Sequence, residues 1–180
     1  MQYKITFLSY WAVGSGKGGG LGADAVVLKE NGLTIIPGKT LKGLWREAYR
    51  ESRQSSLIEL FGHEKKMNDD DKGKDKNATG SLKFGSARLP ETLRKALESN
   101  KEVASELYHT RTSTKVDSDK QAVNHSLRKM EVCVPLTLEA EIEGVPDDKV
   151  KELENLMAGI RFLGEKRYRG LGRCKIEKIN

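Results

Sequence analysis

The run EVCVPLTLEAEIEG, residues 131–144, places Val132, Val134, Leu136, Leu138, Ala140 and Ile142 at alternate positions, mostly against polar neighbours. Successive side chains of an extended chain point to opposite faces, so this spacing predicts a long strand with one buried face. Pro135 has no N–H to give to a ladder and predicts an edge position or a bulge within it.

The same reading extends along the chain. Tyr3, Ile5 and Phe7 alternate in QYKITFLSY and predict a first strand, and CKIEKI a last one. AVVLKENGLTII reads as a hairpin turned at Asn31-Gly32. From Thr40, a good N-cap, Leu41, Leu44, Trp45, Ala48 and Tyr49 follow the stripe of a helix with one buried face. Lys42, Arg46, Arg50 and Arg53 fall on another face, a basic stripe that taken alone reads equally as a solvated surface. SLKFGSARL is extended, and PETLRKALESNKEVASEL is a helix with Pro90 near its start. Asp147-Asp148 cap a further helix that buries Val150, Leu153, Leu156, Met157, Ile160 and Leu163. Strand, helix, strands, helix, strand is the order of a ferredoxin-like (RRM-like) α+β core, and 180 residues suit one such domain, 1–180.

Two stretches interrupt that core. HEKKMNDDDKGKDKNATG, residues 63–80, is too polar to offset its ordering entropy and reads as a mobile loop. Residues 109–129 show neither period and read as part of a thumb-like insertion spanning about 100–129, a length that in a compact domain is functional or disordered.

The net charge of +6 is uneven, with an excess of +4 over residues 1–53, −3 over 54–159 and +5 over 160–180. Basic ends brought together make one surface suited to an anionic polymer. No run reaches membrane-spanning length and the amino terminus does not read as a signal peptide, so a cytoplasmic protein without a membrane partner is expected. Cys133 and Cys174 form no disulfide framework, and His63, His109 and His125 lack zinc spacing.

AVGSGKGGGLGADAVV, residues 12–27, packs six glycines into nine positions. It is not a phosphate-cradling P-loop, which needs G-x-x-x-x-G-K-[ST]; position 11 is Trp and position 18 is Gly. GLTIIPGKT fails too, with five residues between its glycines and Pro37 among them. The helix start there still offers N–H groups and a dipole to a phosphate, helped by Lys39 and Lys42. Asp24, the one acid between Tyr10 and Glu30, reads on its own as the cap of a turn.

Four blocks in order resemble the repeat-associated RNA-binding (RAMP) proteins of CRISPR systems. LTIIPGKTLKGLWREAYR is similar to their helix-opening motif, and LFG followed by GSLKFGSARL to their L-F-G and next strand. TRTSTKVDSDKQAV leading into LRKMEVCVPLTLEAEI resembles their basic segment and long strand, and FLGEKRYRGLGRCKI their glycine-rich loop. The match looks closest to the backbone subunits of type III effector complexes, which polymerise along a guide RNA, assemble with other effector subunits and cut paired target RNA with one loop aspartate.

That resemblance implies a catalytic role for Asp24, holding Mg²⁺ or another divalent metal at the scissile phosphate. It implies guide-RNA contacts from Lys39, Thr40, Lys42 and Arg46 at the helix start and from Arg169, Gly170, Gly172 and Arg173 in the glycine loop. Arg111 and Lys115 are further candidates, for separating nucleotides. Other readings remain: a non-catalytic RNA scaffold, a guide-processing endoribonuclease using His63 or His125, and, outside RNA biology, a small-molecule enzyme.

Overall fold

The computed structural model describes residues 1–16, 23–52, 57–62 and 80–179. Apart from Gly80, the loop predicted at 63–80 lies outside the described residues, as do Arg53, His63 and the glycines at 18–20 and 22. In chain order the elements are β1 (Gln2–Phe7), β2 (Lys29–Glu30), β3 (Leu33–Thr34), α1 (Gly38–Ser52), α2 (Ile58–Phe61), β4 (Lys83–Phe84), α3 (Glu91–Glu98), α4 (Lys101–Ser105), β5 (Tyr108–Ser113), β6 (Arg128–Cys133), β7 (Thr137–Glu143), α5 (Val150–Gly159) and β8 (Cys174–Lys178).

The central sheet runs β4-β7-β1-β8, with every pairing antiparallel. Together with α1 after β1 and α5 after β7, this is the expected ferredoxin-like core. Ile5 sits between Leu138 on β7 and Ile176 on β8, and all three are buried. The buried face meets Leu41 and Trp45 of α1 and Leu153 and Met157 of α5, and the Tyr3 ring stands edge-on to Trp45 at 5.5 Å. The other face carries Lys4, Thr6, Glu139, Glu141, Lys175 and Glu177, with no aromatic among them. It therefore lacks the stacking platform that RRM domains offer to RNA on this face.

The sequence expectations hold for the stripe of α1 and for the hairpin at Asn31-Gly32, where both residues take positive φ (52° and 83°). α5 instead ends at Gly159, so Ile160 and Leu163 are buried beyond it, and Asp147 and Asp148 lie in a 3-10 turn before it. Three further boundaries differ. α1 starts at Gly38: the Pro37 carbonyl accepts from the Thr40 and Leu41 N–H groups, and Ser86 Oγ accepts from Gly38 N–H at 3.3 Å, so Thr40 lies inside the first turn. The helix predicted from Pro90 is two, because the Asn100 side chain caps a new one by accepting from Val103 N–H. The predicted long strand breaks around Pro135 into β6 and β7, which join different sheets.

The stretch 109–129 is not irregular throughout. Its first residues complete β5, which pairs with β6 from Tyr108↔Cys133 to Ser113↔Arg128. Asp117 Oδ1 accepts from the N–H groups of Asp119 and Gln121 in the connection between them. After Tyr108, β5 is exposed at every position, and without a buried face it shows no alternation in the sequence.

Both cysteines are buried, and burial pushes the thiols of Cys133 and Cys174 up to about 12.

Candidate nucleic-acid interface

A second, smaller apolar cluster holds the loops together. Ala12, Val27, Met130, Val132 and Leu171 are its buried members, with Ala25 and Tyr108 packed against them. These residues come from the chain after β1, the strap 23–28, the β5–β6 ribbon and the glycine-rich loop before β8.

The strap lies beside β6, with Ala25 bridging Met130 in parallel. Asp24 N–H donates to the Lys129 carbonyl at 2.8 Å, and the Asp24 carboxylate accepts from Lys129 N–H through Oδ2 at 2.7 Å. Further along, Glu131 N–H donates to the Ala25 carbonyl, while the Glu131 carboxylate accepts from Val27 N–H and pairs with Lys29 at 2.8 Å. Lys29 Nζ also lies 3.6 Å from the centre of the Tyr108 ring, whose hydroxyl donates to the Gly32 carbonyl and is pushed up in pKa by burial. Asp24 is thus exposed but held at both backbone and side chain.

Arg111 faces Met130 in the register, so β6 runs between Arg111 on one side and the Asp24–Ala25 strap on the other. Lys115 stands further along, where its N–H donates to Ser126 Oγ, and both basic side chains are exposed.

The glycine loop docks on the first segment: Gly172 N–H donates to the Tyr10 carbonyl, Glu165 N–H to that of Ala12, and Arg173 N–H to Ser9 Oγ. Gly172 has φ 72°, and a Cβ there would run into the Leu163 carbonyl oxygen. Its amide is therefore engaged and buried, which corrects its expected role as a phosphate donor. Gly170, with φ 80° and open space around it, keeps that role available, and Arg169 and Arg173 are exposed.

The start of α1 stands apart from this group. A Cβ on Gly38 would meet the Phe84 carbonyl, and Gly38, Thr40 and Leu41 already donate their N–H groups, so little remains of an anion nest. Lys39 and Thr40 are exposed, but Lys42 donates to the Leu82 carbonyl at 3.1 Å and Arg46 to that of Gly62 at 2.7 Å. Those two side chains thus hold α1 to neighbouring loops, with donors left over on each. The glycine loop reaches α1 through Arg167 and Glu47, 3.3 Å apart.

A model of the RAMP superfamily matches residues 4–175. The chain belongs to the RAMP superfamily. A chain from the cryo-EM structure of type III-B Cmr-beta bound to cognate target RNA superposes with a TM-score of 0.74 at 11% identity, covering 98% of this chain and 95% of that one. One from the apo state of type III-B Cmr-beta gives 0.69 at 13%, covering 99% and 96%. At these identities the likeness is one of fold. No curated protein sequence matches the chain.

In this RAMP chain no cluster of three or more His, Cys, Asp or Glu side chains able to hold a metal occurs among the described residues. Asp24 fits the mode in which one carboxylate and substrate phosphates share Mg²⁺, and not a cage that protein ligands fill alone. No described helix is long and apolar enough to cross a membrane. Sequence reasoning missed Lys129 and Glu131, the residues that position the strap, because nothing local marks a partner so distant along the chain.

Proposed function

We propose that this chain is a guide-RNA-binding backbone subunit of a type III CRISPR effector complex, cutting paired target RNA at Asp24. The observation that carries this reading is the fixed strap: the Asp24 carboxylate is held exposed beside β6, with Arg111 across that strand and the glycine loop on the same small core. The shared fold with chains of type III-B Cmr-beta, one bound to cognate target RNA, supports membership of such a complex. Its partners are guide and target RNA, other effector subunits and further copies along the guide.

The cut requires a target ribose 2′-oxygen to attack its adjacent phosphorus, expelling the 5′-oxygen of the next nucleotide. The products are a 2′,3′-cyclic phosphate and a 5′-hydroxyl. The protein's part is orientation: with the nucleotide splayed so that attacking and leaving oxygens are in line, several kcal/mol of the barrier is removed. A divalent cation shared by Asp24 and the phosphate would supply charge neutralisation on the phosphoryl oxygens. Arg111 and Lys115 bring positive charge to the same ribbon, and Lys39, Thr40, Arg169, Gly170 and Arg173 track the guide backbone through contacts that do not depend on sequence.

The carboxylate's bond to Lys129 N–H favours a second reading, in which Asp24 is structural and the chain a non-cutting scaffold. Asp24→Asn separates the two, because an amide oxygen still accepts from Lys129 while the charge is gone. In the assembled complex Asp24→Asn is expected to bind RNA normally and cut target at least about a hundred-fold more slowly. Cutting at the wild-type rate would place the cleavage elsewhere in the complex and leave this chain as its scaffold.

A further inference from the structure

α1 and the chain following α5 enclose a groove of about 640 Å³, within the range of small-molecule sites, about 300–1,000 Å³. Leu44 and Ala48 of α1 and Phe162 line it with apolar surface, and Arg161, Arg167 and Tyr168 line the side of the glycine loop. Tyr168 is 96% exposed and Phe162 43% exposed. Tyr168 sits in a short 3-10 turn, Arg167–Arg169, between two residues with left-handed backbone, Lys166 and Gly170. The turn thus displays an aromatic ring with an arginine on either side in the chain, and Arg167 is tied to Glu47 at 3.3 Å.

Two features select the occupant. Large aromatic surface interleaved with guanidinium groups is how proteins hold single-stranded nucleic acid: bases stack on the rings while phosphates meet the cations. A groove for a protein partner would carry few charges at its centre. Glu47 and Glu51 line the α1 side, and carboxylates there repel a phosphate while accepting from the N–H donors of a base edge. The base therefore enters and the sugar-phosphate chain stays on the arginine side.

We infer that this groove receives one unpaired nucleobase of single-stranded RNA, stacked on Tyr168, with flanking phosphates on Arg161 and Arg169. The inference rests on the RNA-binding reading above and adds to it a site for a base outside the duplex. It is independent of whether Asp24 cuts.

The test uses the full chain and short single-stranded RNAs carrying 2-aminopurine, whose fluorescence falls when it stacks. Wild type should quench the probe on binding. Tyr168→Ala should lose the quench and bind about ten-fold more weakly, and Tyr168→Trp should restore both. Because stacking involves no counterions, Tyr168→Ala should leave the salt slope of binding unchanged, whereas Arg169→Ala should reduce it by about one. Wild-type affinity and quench in Tyr168→Ala would overturn the inference while leaving RNA binding intact. Wild-type protein that binds no RNA would overturn both.

Discussion

The apolar cluster beneath the central sheet draws on β1, β7, β8, α1 and α5, whereas the satellite cluster has Ala12, Val27, Met130, Val132 and Leu171 as its buried members. The first is enclosed by strands paired along their length and by two helices. The second is roofed by a two-stranded ribbon, a strap tied to it by isolated bridges and side-chain hydrogen bonds, and a glycine loop. Fewer buried apolar residues mean a lower free energy of local opening. The division places Asp24, Arg111 and the glycine loop, though not Lys39 and Thr40 on α1, where the chain can adjust to a ligand without disturbing the fold.

Truncation in the sheet core should have the largest effect. Trp45 is fully buried against Tyr3 and Phe84, and Trp45→Ala should cost about 3–5 kcal/mol in denaturant unfolding. A loss below about 1 kcal/mol would mean that this core does not set global stability. Leu171→Ala, in the satellite, should cost less, about 2 kcal/mol, and its signature should be local. Amide exchange should accelerate at Gly172 and Glu131, whose N–H groups bond to Tyr10 and Ala25, and hardly change at Ile5. Uniform acceleration would merge the two clusters into one cooperative unit.

The smallest effect lies outside both. Glu30 and Arg88 pair at 2.7 Å on the surface, and the hydrogen bond from Arg88 holds the Glu30 carboxyl below its ordinary range. A depressed carboxylate contributes stability above its unfolded pKa and loses it as pH falls through the folded one. The stability difference between wild type and Glu30→Gln should therefore be small at pH 7 and vanish on acidification through the carboxylate range. A difference that grew in acid would reverse the sign.

Burial explains which parts of this molecule could be read from letters. The stripe from Leu41 to Tyr49 and the alternation of Tyr3, Ile5 and Phe7 exist because those side chains face the core. β5 escaped notice because Arg111, Thr112 and Ser113 face water whichever way they point, so burial imposed no pattern on them. Pro135 announced an interruption but not that the chain would change sheets there. At the candidate site, the position of Asp24 was legible, but its partner Lys129 is 105 residues away. The carbonyls bonded by Lys42 and Arg46 lie 40 and 16 residues away, again beyond any local pattern. Gly170 and Gly172 are the same letter in one motif, yet one amide is committed to Tyr10 and the other glycine stands open.

The two buried thiols carry a practical consequence. Cys133 ends β6, the strand that roofs the satellite cluster, and Cys174 begins β8 at the edge of the main sheet. With both pushed up to about 12, neither offers reactive thiolate to an alkylating reagent at neutral pH while its strand stays closed. Both sulfurs belong to the main cluster, so the chain carries two native chemical clocks there, one on the ribbon strand and one on the sheet's edge strand. The order in which the two sulfurs become labelled, with and without RNA, reports which part opens first and which one the ligand closes.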